Sequence, residues 1–286
     1  MIKHLLSLLI CLPLLAVDKK PNILYIFTDD QTHRSVSAYD EAHDWVQTPN
    51  IDKLAESGMR FTSCYTGAWC QPSRASKLTG SLQHSLDSLK ITNYPMAEYD
   101  PNTLPFFPAV FRKNGYETAC IGKWHLGEDV GHGRDWDYSV IWDRGGPKQN
   151  KYAYFNNSLV RTNGGERKPL GGYTTDMFTK LAVDYINKQK DDEKPWYLWL
   201  CYPGVHGPYT PAKRHKDFYK DVEAAVTQYA FDRDVSHRFL LSTPQRMLTS
   251  CMPAALMHWR RGQTFETDES EDGVTETIQV EPVGPL

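Results

Sequence analysis

Apolar residues along this chain fall into two rhythms. Short unbroken runs occur at Ile23-Leu24-Tyr25-Ile26-Phe27, at Ala119-Cys120-Ile121 after the turn residue Gly115, and at Trp196 to Tyr202. Runs of this length without alternation predict strands buried on both faces of a parallel sheet. Between them the spacing is helical. Thr48-Pro49 opens a helix with Ile51, Leu54 and Ala55 on one face, and Gly58 ends it. Pro72 suits the first turn of a helix starting just after Cys70, where a missing N–H costs nothing. A segment from about Phe106 to Lys113 precedes Asn114-Gly115. From Thr175 to Lys190, Phe178, Leu181, Ala182, Tyr185 and Ile186 form an amphipathic stripe that belongs to a core. A further strand is expected from about Met59 towards Cys70. Strands alternating with helices predict an α/β fold: a mostly parallel sheet with helices on both faces.

The remaining segments read differently. Residues 128–172 are rich in Gly, Asp, Asn and aromatics, and predict loops and a hairpin. Trp136, Trp142, Tyr152 and Tyr154 either stack on sugar rings or pack beneath a long loop, the commoner use. Lys3 and His4 precede the apolar stretch Leu5 to Leu15, which is too short to span a bilayer. Residues 1–16 therefore read as a secretory signal, and the chain is expected to be exported with no transmembrane span. Met247 to Trp259 forms at best a short helix, and Glu266 to Leu286 is a polar, acidic tail expected to be disordered. The 286 residues suit one or two domains, and the expected division is 17–220 and 221–286. A formal charge of -3 gives no basis for nucleic-acid binding. Cys64, Cys120, Cys201 and Cys251 show neither zinc spacing nor an assignable disulfide pattern.

Candidate chemistry sits at the carboxyl ends of the predicted strands, where open α/β sheets bind ligands. The first strand ends in Asp29-Asp30. Two such carboxylates suit a hard cation, Ca²⁺ or Mg²⁺, although a bare Asp-Asp is more often a turn or a helix cap. Cys70 would lie near a positive helix terminus, with Arg74 one turn on, a natural place for an anion. The plain alternative is an ordinary helix start with a buried free cysteine. The second strand leads into Lys123 and His125, which share one side of an extended stretch. The third ends in a loop carrying His206.

The run Cys70-Gln71-Pro72-Ser73-Arg74-Ala75-Ser76-Lys77-Leu78-Thr79-Gly80 has the form C-x-P-S-R-x-x-x-L-T-G and resembles the signature of the type I sulfatases. Gly115 to His125 is similar to that family's second signature, G-Y-x-T-x-x-x-G-K-x-x-H in its short-spaced form. Pro21 to Asp30 and Trp196 to Tyr209 agree in the expected order. The resemblance implies an alkaline-phosphatase-like sulfatase fold and hydrolysis of a sulfate ester. It implies that a maturation enzyme oxidises Cys70 to formylglycine, whose hydrate is the nucleophile. Such a nucleophile can expel sulfate and regenerate the aldehyde, whereas a serine would be left as a stable sulfate ester. It further implies that Asp29, Asp30 and the modified Cys70 hold calcium, and that Arg74 and Lys123 stabilise charge. His125 would be the base for sulfate release, and His206 would contact the substrate, for which a sulfated polysaccharide is one candidate.

The likeness runs from about Pro21 to Tyr219. The S/T-D-[NHQ]-G segment, the later lysine and the smaller C-terminal domain of the family are not found after it. The expectation is therefore an incomplete fold from a truncated or frameshifted product, with a weakened cation site. Three rival readings are a phosphate or phosphonate ester hydrolase with the same nucleophile, a non-catalytic relative, and, more remotely, a thiol protease. Pro72 and Arg74 fit the last poorly.

Overall fold

The computed structural model describes residues 20–67, 69–86 and 104–223, and two short strands at 265–267 and 276–278. The expected signal at 1–16 and the helix at Met247 to Trp259 lie outside the described residues. The chain divides into two compact units, Met1–Val222 and Glu223–Leu286.

The first unit is built on a six-stranded sheet. Its strands are β1 (Ile23–Phe27), β2 (Glu117–Lys123), β3 (Tyr138–Trp142), β4 (Leu159–Thr162), β5 (Arg167–Pro169) and β6 (Trp196–Cys201), arranged β1-β6-β2-β3-β4-β5. β1, β6, β2 and β3 run parallel; β4 and β5 are antiparallel additions at one side. The hairpin expected within 128–172 is β4–β5, and β3 joins β2 as a strand that the sequence pattern does not separate from its loops. The short run Ser139-Val140-Ile141-Trp142, closed by Asp143, is sufficient because both neighbours already exist.

The described residues form four α-helices, α1 (Pro49–Ser57), α2 (Cys70–Thr79), α3 (Phe107–Lys113) and α4 (Thr174–Gln189), of which α2, α3 and α4 pack on the sheet. The strand period of two sends alternate residues to two cores. One packs Cys120, Tyr197, Trp199 and Cys201 with Ala75 and Leu78 of α2 and Phe107 and Phe111 of α3. The other packs Ala119, Ile121, Leu198 and Leu200 against Phe178, Ala182 and Tyr185 of α4. This is the expected α/β layering, with helices on both faces. Gly80 ends α2 in the left-handed conformation (φ 69°) and donates its N–H to the Ser76 carbonyl.

Two expectations need correction. The apolar face of α1 is not buried: Ile51 is 42% and Leu54 68% exposed. Among the described residues no strand forms between Met59 and Cys70, and Met59, Phe61 and Tyr65 are exposed. A strand needs a neighbour to pair with, and among the described residues the sheet ends at β1.

Trp136 and Trp142 are fully buried and Tyr154 nearly so. They pack under the 128–172 segment and offer no face to a sugar; the Tyr152 side chain lies outside the described residues. Cys64, Cys70, Cys120 and Cys201 are free thiols. No described helix is long and apolar enough to cross a membrane. In the second unit, β7 (Phe265–Thr267) and β8 (Glu276–Ile278) pair antiparallel, Phe265 opposite Ile278.

Candidate active site

Because β1, β6, β2 and β3 are parallel, their carboxyl ends lie along one edge of the sheet. Every residue singled out by sequence is near that edge. Asp29 follows β1 and is 2% exposed. Its N–H donates to the Gly204 carbonyl (2.9 Å) and its own carbonyl accepts from the Val205 N–H (2.7 Å), so the loop after β6 is laced to the end of β1. That lacing sets His206 3.6 Å from the Asp30 carboxylate.

β2 and β6 approach unusually closely where β2 ends. A Cβ at Gly122 would lie 1.9 Å from the Cys201 carbonyl oxygen, and φ there is +119°. Only glycine permits this crossing. The next residue, Lys123, is fully buried, and its Nζ donates to Asp29 Oδ2. Arg74, also fully buried, reaches across from α2: Nη1 donates to the Lys123 carbonyl (2.6 Å), and Nη2 lies 3.7 Å from Asp29 Oδ1. Arg74 also sits over the Phe27 ring at 5.2 Å. Helix α2 begins at Cys70 itself, and Cys70 is half-buried. Its start is fixed by Ser73, whose N–H donates to the Trp69 carbonyl and whose hydroxyl donates to the Gly67 carbonyl. Position 70 is near enough for a negative charge there to act on Lys123 and Tyr154.

The electrostatics follow from this burial. Desolvation pushes the Lys123 ammonium below its ordinary pKa, against the opposing pull of Asp29. His125 is pushed far down, first by burial and then by the positive charges of Arg144, Lys123 and Arg74, so the imidazole is neutral. Burial raises the Tyr154 phenol. Several buried nitrogens in the cluster make no hydrogen bond to the described residues: Arg74 Nε and Nη2 (the latter only within ion-pair distance of Asp29), His125 Nδ1 and Arg144 Nε. Orphaned buried donors are costly and mark places where an acceptor belongs. A ligand with several anionic oxygens would satisfy them.

Two residues that the sequence motifs do not mark belong to this cluster. Arg144, just beyond β3, places Nη1 2.8 Å from His125 Nε2. Tyr154 stacks on the His206 ring at 4.2 Å and lies beneath both Lys123 (4.9 Å) and Arg144 (5.5 Å). The turn residues Gly145-Gly146 after an apolar run are the available signal for Arg144.

The cation expected from the sequence is only partly provided for. Asp29 and Asp30 supply hard oxygen donors, but Asp29 is already paired with Lys123 and Arg74. Among the described residues no group of three or more His, Cys, Asp or Glu side chains is placed to hold a metal. Calcium takes six to eight oxygens, so these residues do not by themselves form its site.

Residues 21–249 match the profile of the sulfatase family, and the chain belongs to that family. It is 32% identical to the N-acetylglucosamine-6-O-sulfatase of Bacteroides thetaiotaomicron over 198 residues, which is 69% of this chain and 33% of that protein. It is 28% identical to arylsulfatase J of Mus musculus, over 71% of this chain and 35% of the relative. Among solved structures, a protein in complex with its substrate D-glucosamine-2-N,6-O-disulfate superposes with a TM-score of 0.63 at 26% identity, covering 85% of this chain and 50% of that one. A protein in complex with a neocarrahexaose gives 0.60 at 26% identity, over 72% and 49%. The fold is that of the sulfatase family, and the chain spans a third to a half of the relatives it matches.

Proposed function

We propose that this chain carries the anion-binding and nucleophile-bearing part of a sulfuric ester hydrolase. The observation that carries this reading is the convergence of Cys70, Arg74, Lys123, His125 and His206 on one sheet edge, with buried donors left unpaired. Formylglycine formed at position 70 by a maturation enzyme, once hydrated, supplies the oxygen that attacks sulfur. Around it, Arg74 and Lys123 offset the charge on the sulfate oxygens, from positions buried enough for that offset to be strong. His125, neutral at working pH, takes up a proton at a ring nitrogen as sulfate leaves. His206 donates Nδ1–H to the Gly207 carbonyl (2.6 Å), and its Nε2 accepts a long hydrogen bond from the Tyr154 hydroxyl (3.3 Å) that a substrate oxygen or the leaving alcohol would replace. A sulfated sugar is the substrate class best supported, because relatives and a structural neighbour are named for such compounds. An exported location follows from the apolar segment at 5–15.

Asp29, Asp30 and the modified Cys70 contribute part of a calcium site, and the described residues supply no further ligands for it. Titration of the isolated chain with Ca²⁺ should therefore give weak binding, roughly 10⁻³ M or weaker; micromolar affinity would show that the site is complete. A second reading is a non-catalytic sulfate-binding relative, favoured by this part-built cation site.

The decisive experiment is co-expression of the full chain with a formylglycine-generating enzyme, followed by assay on sulfate and phosphate esters. Turnover of sulfate esters, lost by roughly 10³-fold or more in Cys70→Ala, is expected. Unchanged turnover in that variant would sink the mechanism, and preference for phosphate esters would replace the substrate class. Sulfate binding without turnover by matured protein would establish the second reading.

A further inference from the structure

Arg144 holds a backbone conformation that side-chain-bearing residues rarely adopt, with φ at +62°. Such strain persists where the surroundings over-determine it, and here they do. The buried Asp143 carboxylate accepts the Gly145 N–H (2.9 Å) and both Nη2 (2.9 Å) and Nε (3.3 Å) of Arg167. Asn150 Nδ2 donates to the Gly145 carbonyl (2.8 Å). Gly145 leaves room for the arginine: a Cβ there would lie 2.3 Å from Arg167 Nη2. On the other side, the Trp124 N–H donates to the Trp142 carbonyl (2.9 Å), tying the segment before His125 to the end of β3. The turn is built to deliver one guanidinium to one imidazole.

The chemistry of that contact is constrained. A guanidinium has donors, no acceptor, and does not lose its proton in a protein. His125 Nε2 must therefore accept from Arg144, and the ring proton sits on Nδ1. In this arrangement neither ring nitrogen is free to take a proton. Arg144 Nε, meanwhile, is buried with no partner among the described residues.

We propose that Arg144 is a substrate-gated positioning residue: in the empty site it caps Nε2 of His125, and an oxyanion arriving beside Lys123 and Arg74 draws the guanidinium onto itself and frees that nitrogen. An anionic oxygen is a stronger acceptor than a neutral imidazole, so the exchange runs towards the ligand. The imidazole then has a lone pair available only when substrate is bound. This inference rests on the sulfate-ester reading of the site.

The test uses the full chain labelled with ¹⁵N-histidine and inorganic sulfate as the probe. Two-bond ¹H–¹⁵N spectra, with His125→Gln for assignment, report which ring nitrogen carries the proton and whether the other accepts a hydrogen bond. Without sulfate, Nε2 of His125 should show a hydrogen-bonded, unprotonated signal; at saturating sulfate it should move to the position of a free lone pair. Arg144→Met should show the free signal from the outset and bind sulfate about tenfold or more weakly. Arg144→Lys should recover part of the sulfate affinity without the His125 signature. A wild-type Nε2 signal indifferent to bound sulfate overturns the gate without any variant, as does undiminished sulfate affinity in folded Arg144→Met. If the wild-type chain binds no sulfate at all, the anion-site reading falls and the gate falls with it.

Discussion

β6 and β1 lie side by side in the same sheet and are about equally apolar in sequence, yet they live in different solvents. All six residues of β6 are buried. In β1 burial alternates, and Leu24 and Ile26 are 42% and 48% exposed. β6 has strands on both sides and helices on both faces. β1 has one neighbour, and its second face meets nothing that covers it among the described residues. Hydrophobicity proposes burial, and neighbours decide it. The site shows both solvents: Lys123 at the end of the wholly flanked β2 is fully buried, whereas after β1 burial changes within one residue, Asp29 being 2% exposed and the Asp30 side chain 47%.

The sharpest way to break this comparison is to truncate one residue from each strand. Trp199→Ala in β6 removes a ring stacked on Trp136 and packed edge-on against Trp124, and should cost about 3–5 kcal/mol in urea unfolding. A loss under 1 kcal/mol would mean that the β6 core is loosely packed. The two adjacent carboxylates should separate almost as widely. Asp29→Asn leaves Lys123 and Arg74 buried without their counter-charge, a loss of about 3 kcal/mol. Asp30→Asn, at the exposed end, should change stability by less than about 1 kcal/mol; equal losses would show that burial does not distinguish them.

Acid should act through the buried side as well. The folded pKa of His125 lies below its unfolded value near 6.5, so the unfolded chain binds the extra proton. The contribution of neutral His125 is present above about pH 6.5 and declines below it, by at most about 1.4 kcal/mol per pH unit. His125→Gln should flatten the fall in urea midpoint between pH 6.5 and pH 5; an unchanged slope would assign it elsewhere. Smallest of all, Leu24→Ala should cost less than about 1 kcal/mol, because 42% of the leucine stays in water and no packed neighbour among the described residues closes over that face.

Most of the sheet and most of the site are legible in the amino-acid order alone. The strands ending in Asp29-Asp30, Gly122-Lys123 and the His206 loop stand out because apolar runs stop abruptly at polar residues. Gly122 is readable as a motif letter, though the reason for it, the Cys201 carbonyl 1.9 Å from where a Cβ would be, is not. Arg144 escapes because one arginine in a glycine-rich stretch has no periodicity and its role depends on His125, in the loop after β2. The exposed face of α1 and the missing strand after Met59 escape for the opposite reason: their patterns are clear, but a pattern does not say whether a partner is there.

The position of β1 also imposes a schedule. Its partner is β6, and Ile23 pairs with Tyr197, so during synthesis β1 must wait until the ribosome has made everything between them. At 5–20 residues per second that interval is roughly ten to thirty seconds. Throughout it, an apolar strand with a free edge is available to any neighbouring nascent chain. Among the described strands the first made is among the last to be paired, and the Asp29 carboxylate at its end reaches Lys123 and Arg74 only when that wait is over.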